Sequence, residues 1–107
     1  MFNVAVCIKP SAIHGIGLFT KQMIKKGQVI YTETPELDLH LSKEQFAELD
    51  EKEQAFIEHF GFFNETENHW HLSHDNIRFC NHATQSNITW KDNAYLVALR
   101  DITKGEE

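Results

Sequence analysis

A mainly β domain of small sheets, with a short helical insert in its middle, is the fold class this sequence predicts. Short Val/Ile-rich runs bounded by glycine or proline fill the first part of the chain and return after Gly61. Between them lie two capping-box spacings, Ser42 with Gln45 and Asp50 with Glu53. The regular alternation of strand and helix that a Rossmann-type sheet needs is missing. With 107 residues the chain is read as one domain, with room for one core.

Val4 to Lys9 reads as a strand closed by Pro10. Gly15 and Gly17 then punctuate a turn before Leu18-Phe19, and Lys25-Lys26-Gly27 forms another turn. It leads into a strand over Val29 to Glu33, ended by Pro35. In the middle, about Leu39 to Ser73, Phe46 and Leu49 fall on one side of a first helix. Phe56 and Phe60 fall on one side of a second, which Gly61 stops. These aromatics are expected in the core. Phe62-Phe63, a polar turn over Asn64 to Asn68 and Trp70 between His69 and His71 read as a hairpin. A second hairpin runs from Asn87 to Trp90, turns at Lys91-Asp92-Asn93 and returns through Ala94 to Leu99. Ile24-Lys25-Lys26-Gly27-Gln28 is echoed by Ile102-Thr103-Lys104-Gly105-Glu106. The first copy enters a strand, so a further strand is expected after the second, beyond Glu107.

Hydrophobic residues make up 41% and charged residues 24%, a globular and not a disordered composition. The formal charge of −6 and the acidic stretch from Glu44 to Glu67 argue against direct nucleic-acid binding, which needs a basic face. They suit a basic partner, such as a lysine-bearing peptide, through charge attraction. No apolar run is long enough to span a membrane. The N-terminus shows no secretory pattern, and Cys7 and Cys80 are read as reduced thiols, so a cytoplasmic location is expected.

Two stretches invite chemistry. In Ile13-His14-Gly15-Ile16-Gly17, the glycines either take up a tight turn or let backbone approach a ligand. The phosphate fingerprint is excluded, because no third glycine and no helix follow. In Arg78-Phe79-Cys80-Asn81-His82, read as lying at a strand end, the Asn amide and adjacent backbone could pair with an adenine edge. Each residue also has an ordinary reading: Asn81 as a turn residue, His82 as a surface or core histidine, Arg78 as an ion-pair partner. A separate cluster in sequence, His69, His71, His74, Cys80 and His82, offers imidazole and thiolate donors for zinc, but its spacings match no common zinc module and alternating strand histidines usually face solvent, so no metal site is expected.

Taken together, these segments resemble the SET-domain protein-lysine methyltransferases, particularly small bacterial members. Ser11-x-Ile13-His14-Gly15-Ile16-Gly17-Leu18-Phe19-Thr20 is similar to the family's first motif. Arg78-Phe79-x-Asn81-His82 with Asn87 is similar to its second, and Ala98-x-Arg100-Asp101-Ile102-x-Lys104-Gly105-Glu106-Glu107 to the segment entering its last. The resemblance implies a β-clip of small curved sheets with a C-terminal pseudoknot, incomplete over these residues. It also implies an S-adenosyl-L-methionine site. Backbone at Ile16 and Gly17 would hold the methionine end, Asn81 and His82 the adenine, and Arg78 and Phe79 the wall beside it.

The implied reaction is direct methyl transfer to a lysine amine. Freeing the lone pair of a lysine with pKa about 10.4 at pH 7 costs roughly 4–5 kcal/mol, which desolvation and the donor's positive charge would lower. Ala83 stands where the family has serine, Ser86 where it has proline, and the family's catalytic tyrosine falls beyond Glu107. Catalytic residues are therefore left open, and Tyr31 and Tyr95 are assigned no role. The alternative is a SET-like module that binds cofactor or a basic peptide without turnover.

Overall fold

The computed structural model describes residues 1–92 and 94–107. Its elements, in order, are β1 (Val6–Pro10), β2 (Ile16–Thr20), β3 (Val29–Thr32), β4 (Leu39–Ser42), α1 (Lys43–Ala47), α2 (Glu51–Phe60), β5 (Phe62–Asn64), β6 (His69–Leu72), β7 (Ile88–Lys91) and β8 (Tyr95–Ala98). Short 3-10 turns occupy Pro35–Leu37 and Asn76–Phe79. Strands pair antiparallel in three small sheets ordered β1-β2, β3-β8-β7 and β4-β6-β5. The mainly β architecture with two short helices is the class expected from the sequence. No described helix is long and apolar enough to cross a membrane.

The chain divides into two compact units, residues 1–33 with 79–107, and residues 34–78. The first unit holds the sheets β1-β2 and β3-β8-β7. Its core is Val4, Ile24, Ile30, Tyr31, Leu96, Ala98 and Ile102, all buried. Tyr31 is fully enclosed, with Phe2 and Trp90 packed edge-on at ring-centroid distances of 5.1 and 6.2 Å. The echoed Ile-x-x-Gly segments are partners in space. Ile24 and Ile102 exchange backbone hydrogen bonds of 2.9 and 2.8 Å, and Gly27 and Gly105 both take the left-handed φ (+82° and +89°) that closes each turn.

The second unit is a three-stranded sheet with two helices. Both helices begin with capping boxes, Ser42 with Gln45 and Asp50 with Glu53, as the spacing predicts. Phe46 of α1 stacks on Trp70 of β6 at 4.6 Å, and Phe63 meets the same indole edge-on at 5.5 Å.

Several local expectations need correction. The middle segment is not purely helical, because β4 precedes α1 and pairs with β6 from Leu39↔Leu72 to Ser42↔His69. Gly17 lies in β2 opposite Lys9 and not in the turn. Pro10 is the last residue of β1, paired with Ile16. Gly61 ends α2 without a left-handed φ. A Cβ there would lie 2.3 Å from the His71 carbonyl oxygen, so close backbone packing demands the glycine. Phe56 is 44% exposed, so it contacts Phe60 (5.0 Å) on the surface of α2 and does not enter the core. At the second hairpin, Lys91 is still in β7 and Asp92 has φ +53°. Asn93 of that turn lies outside the described residues.

Candidate functional site

The first unit gathers the end of the first hairpin loop, the Asn81 segment and the last residues of the chain. The loop between β1 and β2 is closed by a 2.8 Å bond from the Ser11 amide to the Gly15 carbonyl, with Gly15 at φ +48°. The Ser11 hydroxyl accepts from the Ile13 amide (2.9 Å), a serine turn that fixes the loop's curvature. This bend leaves the carbonyls of His14 and Ile16 aimed at one point.

Asn81 occupies that point. Its Nδ2 amide lies 3.0 Å from the His14 carbonyl, 3.2 Å from that of Ile16, 3.1 Å from Ser11 Oγ and 3.0 Å from Glu107 Oε2. Two N–H groups are thus shared among four acceptors. Ser11 Oγ in turn donates toward the Glu107 carboxylate, at 2.7 and 2.9 Å, and Asn87 Nδ2 donates to the Glu107 backbone carbonyl at 2.8 Å. Gly17 is what permits this. A Cβ there would sit 2.2 Å from Glu107 Oε2 and 2.9 Å from Ser11 Cβ. The segment carrying Asn81 follows the 3-10 turn Asn76–Phe79 and is not a strand end, so the sequence placement of Asn81-His82 is corrected on that point.

Beside this cluster lies a hollow of about 200 Å³. Val4, Leu18, Ile24, Ile30 and Ile102 form its apolar wall, while Asn81, Asn87, Arg100 and Glu106 supply polar edges. Burial pushes the Cys80 thiol above its ordinary pKa, and the Glu107 charge adds to the rise, so this wall residue is a protonated thiol and not a nucleophile at neutral pH. Arg100 holds the Glu106 carboxyl down at about 2 by a direct side-chain hydrogen bond, with Thr103 donating to the same group.

The sequence-derived candidates are distributed as follows. Ile16, Gly17 and Asn81 come together at the bend, Gly17 buried and Ile16 half exposed. His82 is exposed and Phe79 half-buried in the same unit. Arg78 belongs to the other unit, where its guanidinium lies 6.0 Å above the Phe60 ring. Sequence reading did not single out Ser11 and Glu107. Both stand within the motif segments, and a serine just ahead of a glycine-bearing loop favours a side-chain turn. Tyr31 is enclosed in the core and Tyr95 lies on the exposed side of β8.

The model for the SET domain matches residues 15–107. The fold is similar to that of a proposed histone methyltransferase of Plasmodium falciparum. That match has 19% identity and a TM-score of 0.68 over 98% of this chain and 90% of that one. It is also similar to part of the Polycomb Repressive Complex 2 of Chaetomium thermophilum, in a humanized mutant bound to an inhibitor (26% identity, TM-score 0.72). A form of the latter bound to S-adenosylmethionine gives 25% identity and a TM-score of 0.73. In both, 97% of this chain is covered, and this chain spans 14% of the other. No curated protein matches the sequence significantly. The match over residues 15–107, on a fold of small antiparallel sheets that brings the two motif segments to one point, places this chain in the SET-domain methyltransferase family.

Proposed function

We propose that the bend at Gly15–Gly17 and the Asn81-His82 segment form the binding site for S-adenosyl-L-methionine, and that the protein to which this chain belongs transfers a methyl group to a lysine amine. The observation that carries this reading is the convergence of the His14 and Ile16 carbonyls with the Ser11 hydroxyl and the Glu107 carboxylate around one amide. The hollow beside this cluster is edged by Asn81, Asn87 and the Glu106 and Glu107 carboxylates, and negative charge there suits a cationic ligand. The cofactor carries an ammonium and a sulfonium, so the donor set fits it. When bound, it supplies an electrophilic methyl group.

The chain's own residues have the supporting parts. Gly17 gives the close backbone approach, Asn81 orients the bend, and the apolar wall of Val4, Leu18 and Ile30 excludes water. Exclusion of water is what a lysine needs, because desolvation favours its neutral, nucleophilic form. The acidic surface from Glu44 to Glu67 would attract a lysine-rich partner before docking. The cytoplasmic location expected from the sequence belongs with this reading.

Calorimetric titration of this chain with S-adenosylmethionine tests it. One site per chain is expected, with affinity at least tenfold weaker in Asn81→Ala, about 1.4 kcal/mol. No binding at about 1 mM, where even a weak site of roughly −4 kcal/mol half-fills, contradicts the proposal. Binding without methyl transfer to a lysine-rich peptide would instead favour the non-catalytic module.

A further inference from the structure

We infer that the second unit carries a metal site for a divalent transition ion, of which zinc is the natural candidate, formed by His40, Glu67 and His71. Antiparallel pairing of β4 with β6 sets His40 directly opposite His71, and their rings meet edge-on with centroids 4.2 Å apart. Glu67, in the turn of the β5–β6 hairpin, reaches back so that its Oε2 lies 3.0 Å from His71 Nε2. One ligand atom from each of the three residues lies within 4.8 Å of the other two.

Two imidazoles and one carboxylate on a rigid frame are a donor set that zinc and its neighbours accept. Metal–ligand distances of about 2.0–2.2 Å put tetrahedral ligands roughly 3.5 Å apart. Closing from 4.8 Å to that spacing needs only a side-chain movement, and Glu67 is exposed and able to make it. The surroundings fit as well. His40 Nε2 lies 3.2 Å from the Pro35 carbonyl, and a ring donating there keeps its lone pair on Nδ1. Metal-binding histidines are commonly oriented by such a backbone acceptor. Phe62 pairs with His71 from the other neighbouring strand, its ring 5.2 Å away, so an apolar face backs the cluster. The set leaves a fourth coordination position for water or a partner's side chain.

The zinc reading of the sequence rested on His69, His71, His74, Cys80 and His82. Of these only His71 enters the cluster, and Cys80 and His82 belong to the other unit. His40 comes from a strand some thirty residues upstream and Glu67 from a polar turn. No local window contains all three.

The rival account is that Glu67 and His71 form only a hydrogen bond. Zinc titration of the untagged full chain, followed by cobalt(II) absorption in the visible range, separates the two. The metal site predicts one ion per chain, intense cobalt d–d bands typical of tetrahedral coordination, and a thermal midpoint raised by zinc and restored by chelator. His40→Ala should weaken binding at least tenfold, and Glu67→Gln should weaken it while leaving the hydrogen-bonding shape intact. Both residues are less buried than His71, so these variants serve even where His71→Ala fails to fold. Less than about 0.2 ion per chain, or equal binding by His40→Ala and Glu67→Gln, overturns the inference.

Discussion

The two units solve the placement of polar groups in opposite ways. In residues 1–33 with 79–107, two backbone carbonyls join the Ser11 hydroxyl and the Glu107 carboxylate around one side-chain amide, Asn81, which ties the bend together. In residues 34–78, side chains supply the donors and strand register aligns them, His40 opposite His71 and Phe62 beyond. Glycine marks both, for the same reason at Gly17 and Gly61: something polar comes too close for a Cβ. What comes close differs. At Gly61 it is the His71 carbonyl, fixed in a sheet, whereas at Gly17 it is chiefly a carboxylate on a movable side chain. Each unit should therefore fail differently when the same change is made.

Gly61→Ala has the largest expected effect. Its Cβ would lie 2.3 Å from the His71 oxygen and 2.8 Å from that of Ile57, neither able to retreat without breaking β6 or the end of α2. We expect a loss on the order of 3 kcal/mol in denaturant unfolding. Gly17→Ala should cost less, because Glu107 can swing aside. If the cost at Gly17 stems from that carboxylate, Glu107→Ala introduced alongside should recover much of it, a non-additivity that a double-mutant cycle reads directly. Equal and additive losses at both glycines would break the comparison.

Trp70→Ala comes next, at roughly 2–3 kcal/mol, since it removes both the stacked Phe46 and the edge-on Phe63 contact. Asn81→Ala should lower stability by about 1–2 kcal/mol, the cost of leaving its acceptors without their shared donor. The smallest effect belongs to Glu106. Its folded pKa of about 2 lies below the ordinary 4.5, so its pairing with Arg100 stabilises the fold fully above pH 4.5 and is lost as pH falls toward 2. Glu106→Gln should flatten the stability curve across that window, lying slightly below the native chain near pH 7 and meeting it as pH falls toward 2. A steeper curve in the variant would contradict this assignment. The effect is small because the pair is largely exposed.

How much of this was legible in the sequence depended on range. Both capping boxes and both hairpins rest on residues within a few positions of each other, and they stand where local chemistry put them. The echo of Ile24 to Gly27 in Ile102 to Gly105 was visible as a repeat, but strand composition carries no sign that the two isoleucines pair across the unit. Gly17 shows the same limit. Its neighbours suggest a turn, whereas its reason is a carboxylate from the far end of the chain. The meeting of the bend with Asn81 was readable only because the two segments resemble motifs of one family. The cluster at His40, Glu67 and His71 was not readable, since register decides it and strand register is set by packing that no short window contains.

Assigned amide spectra of this chain during titration with S-adenosylmethionine test the central claim most directly. The account predicts that the backbone signals of Ile16 and Gly17 and the side-chain amide of Asn81 shift together and saturate at one equivalent, while those of His40 and Phe62 stay in place. Saturating shifts confined to other residues, with the bend and Asn81 unmoved, would contradict it.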